Sequence, residues 1–264
     1  MQPLMRDKDG WMEKHLTHVD SHKEVVDVVL YGDSIVKNYG SNWKKAFGKN
    51  ILNFGIGGDK CENVLYRLVN GRIPIHVKIA VVHVGTNNVP NKNVAPQNIA
   101  DGICQICRTI NRFRSDIDII VSSILPGKDR EMVKVCKVNQ LLKKLLKGNK
   151  FRPFYISPNI QDLISGDQLN PDLYSSDLIH LSNLGYQKLV KHIQKISELT
   201  SCPLYPDTGR DCSLSDPFAH LAIGRMEELD GVLEPIPMWN PRFPPVSQGY
   251  IYWNKNRSKK YSKR

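Results

Sequence analysis

Two side chains three residues apart, Asp177 and His180, form the most pointed pair in the chain. In Asp177-Leu178-Ile179-His180-Leu181-Ser182 one short loop could supply both an imidazole and the acid that fixes its tautomer. Such a pair can draw the proton from a serine, which is a poor nucleophile until a base takes it. D-x-x-H is also common by chance, and a lone histidine near a helix start is more often structural. A serine must therefore be found in a fitting place. Gly32-Asp33-Ser34 follows an apolar, β-branched run, and α/β folds place their active sites at the carboxyl ends of strands. Glycine and aspartate there would serve any turn equally well. The α/β-hydrolase elbow is excluded, because G-x-S-x-G needs glycine at position 36, which is Val36.

Attack by Ser34 on an ester would also need donors for the oxyanion. Asn53-Phe54-Gly55-Ile56-Gly57-Gly58-Asp59 ends a second apolar run and leads into a helical pattern. Strand, glycine turn and helix suggest a dinucleotide fingerprint, but the third glycine of G-x-G-x-x-G would fall on Lys60. The next strand ends His83-Val84-Gly85, with no acid to hold a ribose. The other use of such glycines is to expose backbone N–H groups beside a helix N-terminus, where they stabilise developing negative charge. A third loop, Gly85-Thr86-Asn87-Asn88, reads as a turn in isolation, yet an asparagine amide is a suitable neutral donor. Singly these signals are weak. In this order, each at a strand end or helix start, they reinforce one another.

The elements that must position them read as alternating strand and helix. Apolar runs at Val25–Tyr31, Ile51–Phe54, Ile79–Val84 and Ile117–Ile124, with a weaker one at Phe154–Ile156, suit strands buried on both faces. Between them, Asp59 with Glu62 predicts a capping box, and Gly71 a helix stop. Pro96 suits a first helical position, and Ile99, Ile103, Ile106, Ile110 and Phe113 trace one stripe. Val133–Lys147 and the segment after Ser182, with Leu189, Ile193 and Ile196, complete the helices. The alternation predicts a three-layer α/β/α sandwich around a mostly parallel five-stranded sheet. The division expected is an N-terminal segment (1–23), a catalytic domain (24–200) and a Pro-rich, irregular extension (201–264).

Composition narrows the setting. A hydrophobic fraction of 41% supports a buried core, and no apolar run is long enough to span a membrane. The first twenty residues carry Arg6, Lys8, Glu13 and Lys14 in place of an apolar core, so no secretory signal is expected and a cytoplasmic setting is the default. Cys104 and Cys107 form a lone C-x-x-C with no second half for a metal shell, which predicts buried helical thiols. No metal or cofactor is expected. The formal charge is +11, and seven basic residues with no acid fall between Asn240 and Arg264. The excess charge thus sits largely in a tail whose Tyr250, Tyr252, Trp253 and Tyr261 suit stacking on unpaired bases. The bland reading is a terminus kept soluble by its charges.

The blocks GDSIV, NFGIGGDKCENVLYRLVNG, VVHVGTNNV and DLIHLSNLGY resemble the four blocks of SGNH (GDSL-type) hydrolases. More narrowly they resemble the catalytic subunits of intracellular platelet-activating-factor acetylhydrolases, over roughly residues 24–199. The resemblance implies a flavodoxin-like fold and an ester hydrolase with Ser34 as nucleophile and Asp177 and His180 completing the triad. It also implies an oxyanion hole of the Ser34 and Gly58 N–H groups and the Asn87 side chain. Ile35 after the nucleophile and Ile179 before the histidine would border the acyl pocket and favour short acyl chains. Residues 1–23 and the tail match nothing in that group. Similar esterase domains occur in first open reading frames of some non-LTR retrotransposons, beside nucleic-acid-binding segments. The partners expected are a small ester, a second copy of the chain, and single-stranded nucleic acid or another polyanion held by residues 240–264. That last partner defines the rival class: a binding protein built on an SGNH scaffold.

Overall fold

The computed structural model describes residues 1–21, 25–39, 42, 51–74, 76–147, 154–156, 163–165 and 168–200. The expected extension, 201–264, lies outside the described residues. Five parallel strands form one sheet: β1 (Val28–Gly32), β2 (Ile51–Gly55), β3 (Ile79–His83), β4 (Asp118–Ser122) and β5 (Phe154–Ile156), in the order β2-β1-β3-β4-β5. That is the doubly wound order in which the chain leaves β1 for one side and returns to the other.

Burial follows from place in the sheet. Every residue of β1 and β3 is buried, because central strands are covered on both faces. The edge strand β2 alternates instead, with Leu52 and Phe54 inward and Ile51, Asn53 and Gly55 half-exposed.

Two apolar layers sandwich the sheet. On one face Val29, Tyr31, Ala80 and Val82 pack with Val64, Leu65 and Leu68 of α3 (Cys61–Val69), Ile99, Ile103 and Ile106 of α4 (Pro96–Phe113), and Val138 and Leu142 of α5 (Met132–Lys147). The short α2 (Ser34–Lys37) and α6 (Asn183–Thr200) cover the other face, where Ile35 and Val36 meet Leu30, Val81, Leu189 and Ile193. No helix among the described residues is long and apolar enough to cross a membrane.

Three details differ from the sequence expectation. The capping residue of α3 is Lys60, whose N–H is met by Asn63 Oδ1 at 2.9 Å, because the Asp59 side chain turns inward to Trp11 and Arg67. Phe113 ends α4 with 51% of its surface exposed, so the apolar stripe stops at Ile110. A further helix, α1 (Trp11–Asp20), packs residues 11–20 onto the sandwich: Trp11 is buried against Tyr66 of α3, and His18 stacks on Phe54 at 4.7 Å. Cys61, Cys104 and Cys107 are buried thiols, and burial pushes Cys61 and Cys107 well above the ordinary thiol range.

Candidate active site

The sheet order places a crevice at the carboxyl ends of β1 and β3, where the chain's direction of travel across the sheet reverses. Ser34, Ile35, Gly58 and Asn87 come from the segments that follow β1, β2 and β3, and Asp177, Ile179 and His180 from the turn before α6. Ser34 opens α2 directly after β1, and the cap before it is Asp33, whose Oδ1 accepts the Ile35 N–H at 2.9 Å. The tight passage from strand to helix needs Gly32, since a Cβ there would lie 2.1 Å from the His83 carbonyl oxygen. Ser34 thereby gains a fixed backbone, and its own N–H is one of the first helical donors without an intrahelical partner.

Asp177 and His180 sit on the turn before α6. Leu178 adopts a positive φ of 54°, which folds the four residues back on themselves. The Asp177 Oδ1 accepts the N–H of Ile179 and of His180, each at 2.9 Å, and the Ser175 hydroxyl at 2.7 Å. Its Oδ2 faces His180 Nδ1 at 2.5 Å, and His180 Nε2 lies 2.7 Å from Ser34 Oγ. An ionised carboxylate only accepts, so Nδ1 carries the ring proton and Nε2 of the neutral imidazole is the acceptor facing the serine. Burial works to raise the Asp177 carboxyl, but bonds from the His180 ring, the His180 and Ile179 backbones and Ser175 overcome it and hold the group well below the usual carboxylate range. One hydrogen-bonded line thus runs carboxylate, imidazole, hydroxyl across 146 residues of sequence.

The other residues expected as oxyanion donors lie on the loops that follow β2 and β3. Gly58 has a φ of 79°, the left-handed region where glycine carries no penalty, and a Cβ on its neighbour Gly57 would stand 3.8 Å from Ser34 Cβ. Asn87 Nδ2 donates to the Asp59 carbonyl at 2.9 Å, which leaves its second N–H for another acceptor. Asn88 ties the same two loops together: its Oδ1 accepts the Cys61 N–H at 3.0 Å and its Nδ2 donates to Glu62 at 2.9 Å. The Asn pair therefore splits its work, with Asn88 buried as a brace and Asn87 half-exposed in the crevice.

Ile35 and Ile179 are placed differently from each other. Ile35 is 2% exposed and packed in the layer under α6, whereas Ile179 is half-exposed on the His180 turn.

Several groups near these residues have no chemical role that the sequence predicts. Ser175 supports Asp177, and Arg130 Nε donates to Thr86 Oγ1 at 3.2 Å beside Asn87. Arg67 bonds Asp59 Oδ2 at 2.9 Å, the Phe54 carbonyl at 2.6 Å and the Gly32 carbonyl at 3.1 Å, so one buried guanidinium holds the ends of β1 and β2 to the glycine loop. Asp33, fully buried, is lifted to about 7 by that burial, against the opposing Ile35 N–H. Among the described residues no group of three or more His, Cys, Asp or Glu side chains is placed to hold a metal ion.

Comparison with known proteins bears on the same residues. The GDSL-like Lipase/Acylhydrolase family matches residues 30–188, a span that holds Ser34, Gly58, Asn87, Asp177 and His180. Platelet-activating factor acetylhydrolase IB subunit alpha2 of Homo sapiens is 35% identical over 200 residues, covering 71% of this chain and 83% of that one. Subunit alpha1 of Rattus norvegicus is 34% identical over 197 residues, with the same coverage. Among solved structures, a GDSL-like lipase from Bacteroides thetaiotaomicron superposes with a TM-score of 0.58 at 20% identity, over 73% of this chain and all of that one. The lipase/acylhydrolase from Enterococcus faecalis gives 0.54 at 16% identity, over 66% and 96%. Those two likenesses establish the shared sandwich. The family match and the acetylhydrolase identities go further, and on them this chain belongs to the GDSL-like lipases and acylhydrolases, hydrolases that act on esters.

Proposed function

We propose that this chain hydrolyses carboxylic esters of short acyl chains through an acyl-enzyme on Ser34, without a metal. The observation that carries the reading is the line from Asp177 through His180 to Ser34 Oγ, at 2.5 and 2.7 Å. Ser34 Oγ attacks the ester carbonyl as His180 Nε2 takes its proton, and Asp177 stabilises the imidazolium. The carbonyl oxygen becomes an oxyanion met by the Ser34 and Gly58 N–H groups and Asn87 Nδ2. Collapse breaks the bond to the alcohol oxygen, which leaves with the proton from His180. Water then repeats the sequence on the acyl group, releasing the acid and restoring Ser34. The acetyl group is the first acyl chain to test, because the relatives above carry acetylhydrolase in their names.

The test is fluorophosphonate labelling with p-nitrophenyl acetate turnover. Wild-type protein should label at Ser34 and turn over, while Ser34→Ala and His180→Ala each lose nearly all activity, and the double variant is little worse than either. Unchanged turnover in Ser34→Ala overturns the assignment. A second reading, a scaffold that holds single-stranded nucleic acid, rests on the seven basic residues between 240 and 264 and on Tyr250, Tyr252, Trp253 and Tyr261 among them, which lie outside the described residues. Deletion after Met238 should then weaken RNA binding and lower its log–log salt slope by about 0.7 per lost phosphate contact. An unchanged slope removes that reading.

A further inference from the structure

The first ten residues contain no helix, yet they are fastened to the sandwich at several points. Leu4 N–H donates to the Glu62 carbonyl at 3.0 Å, Asn63 Nδ2 donates to the Leu4 carbonyl at 2.9 Å, and the terminal amine reaches Gln105 at 3.0 Å. This strap runs along α3 and α4 and delivers Arg6 to the glycine loop. Arg6 Nη1 donates to the Gly57 carbonyl at 2.7 Å. The same guanidinium lies 2.6 to 3.0 Å from where a Cβ on Gly58 would stand, so it covers the outer side of that residue.

The Gly57 carbonyl and the Gly58 N–H are two ends of one peptide unit. A cation bonded to the carbonyl fixes the plane of that unit and polarises it, which strengthens the N–H as a donor. We propose that Arg6 is a positioning residue for the oxyanion hole, acting through the Gly57–Gly58 peptide. The inference rests on the ester-hydrolase reading above. Trp11 extends the same support: its Nε1 donates to Asp59 Oδ1 at 2.7 Å, and the Asp59 backbone carbonyl is the acceptor that holds Asn87. Both donors outside Ser34 are thus held from behind by residues of the N-terminal segment.

A purely electrostatic role beside Asp59 is the competing account. Arg67 already meets that carboxylate at 2.9 Å through two nitrogens, whereas Arg6 lies 3.8 Å away with 26% of its side chain exposed. At 3.8 Å that contact is longer than a hydrogen bond, so Arg67 is the principal partner of the carboxylate. The short contact is the one to Gly57, and its consequence is felt in the transition state.

Arg6→Ala should lower kcat for p-nitrophenyl acetate by about tenfold, a fraction of the 10²–10³ that loss of a whole donor costs, with KM unchanged. Arg6→Lys should recover much of the loss, because it restores a charged donor, and Arg6→Gln less. The melting temperature of Arg6→Ala should stay close to wild type. Should Arg6→Ala fail to fold, the comparison of Arg6→Lys with Arg6→Gln carries the same test. Unchanged kcat, or a rise in KM at constant kcat, overturns the positioning role; so does a loss that Arg6→Lys does not relieve. Wild-type protein without Ser34-dependent turnover would instead reject the underlying function, so the two failures are told apart by the wild-type control.

Discussion

Asp177→Asn separates orientation of the imidazole from mere proximity. Asp177 Oδ1 accepts two backbone N–H groups at 2.9 Å and the Ser175 hydroxyl at 2.7 Å, and all three are donors. The asparagine oxygen must take that position, which turns its NH2 toward His180 Nδ1, where Oδ2 now stands at 2.5 Å. An NH2 group only donates, so Nδ1 becomes an acceptor and the ring proton moves to Nε2. His180 would then donate to Ser34 Oγ at the moment it is required to accept. The same change in a buried serine-protease triad costs about 10⁴ in kcat. Asp177 is 46% exposed, and water can share its role, so the expected loss here is smaller, about 10³. Three of the four bonds to the side chain survive, so the melting temperature should move by a few degrees at most. The assay is kcat for p-nitrophenyl acetate at neutral pH beside a thermal melt. A loss under tenfold would refute the tautomer argument. A deep fall in melting temperature would show that the carboxylate holds the loop rather than the ring.

Asn87→Ala should lower kcat by about 10²–10³ with little change in KM, and an effect confined to KM would make Asn87 a substrate contact only. Acyl-chain preference should respond to Ile179 rather than Ile35: Ile179→Ala is expected to raise octanoyl over acetyl ester turnover, measured on p-nitrophenyl esters. Ile35→Ala should instead cost about 2–5 kcal/mol of stability by emptying core volume, and a chain-length shift without destabilisation would reverse the two roles. Burial pushes His83 down to about 4, so the folded state resists its protonation. Its contribution is complete above the unfolded value near 6.5 and is lost as pH falls toward 4, on the order of 3 kcal/mol. His83→Leu should flatten the stability–pH curve between those values, and an unchanged slope in denaturant titrations would contradict it.

The sheet was legible because buried parallel strands leave a coarse signal: short apolar runs at 28–31 in β1, 79–82 in β3 and 119–121 in β4. Edges of those runs were less legible. Val25 belongs to the first run by composition yet is 68% exposed, since apolar content does not say where the ladder begins. Helix α1 escaped because its inward face is Trp11, His15 and His18 instead of aliphatic residues. Burial lowers His15 to about 4 and His18 to about 3, so both act as neutral aromatic surface, which a pattern of hydrophobic types does not count.

The groups of the proposed relay were legible for a different reason than the groups that hold them. A nucleophile, a base and an acid are constrained by reaction chemistry to a few residue types at strand ends, so Ser34, Asp177 and His180 can be picked out before any contact is known. A supporting group is constrained only by reach. Asp59 looked like a helix cap, a role open to any aspartate before α3, and only the contacts of Trp11 and Arg67 reveal that its carboxylate anchors the glycine loop. Arg6 has no neighbours in sequence that mark it, because its partner is a backbone carbonyl 51 residues away. Carbonyls are the same on every residue, so a bond to one leaves no trace in the residue types at either end. The support of an active site is therefore the part that sequence reading is least equipped to find, and here it reaches outside the span that matches the family, into the first eleven residues.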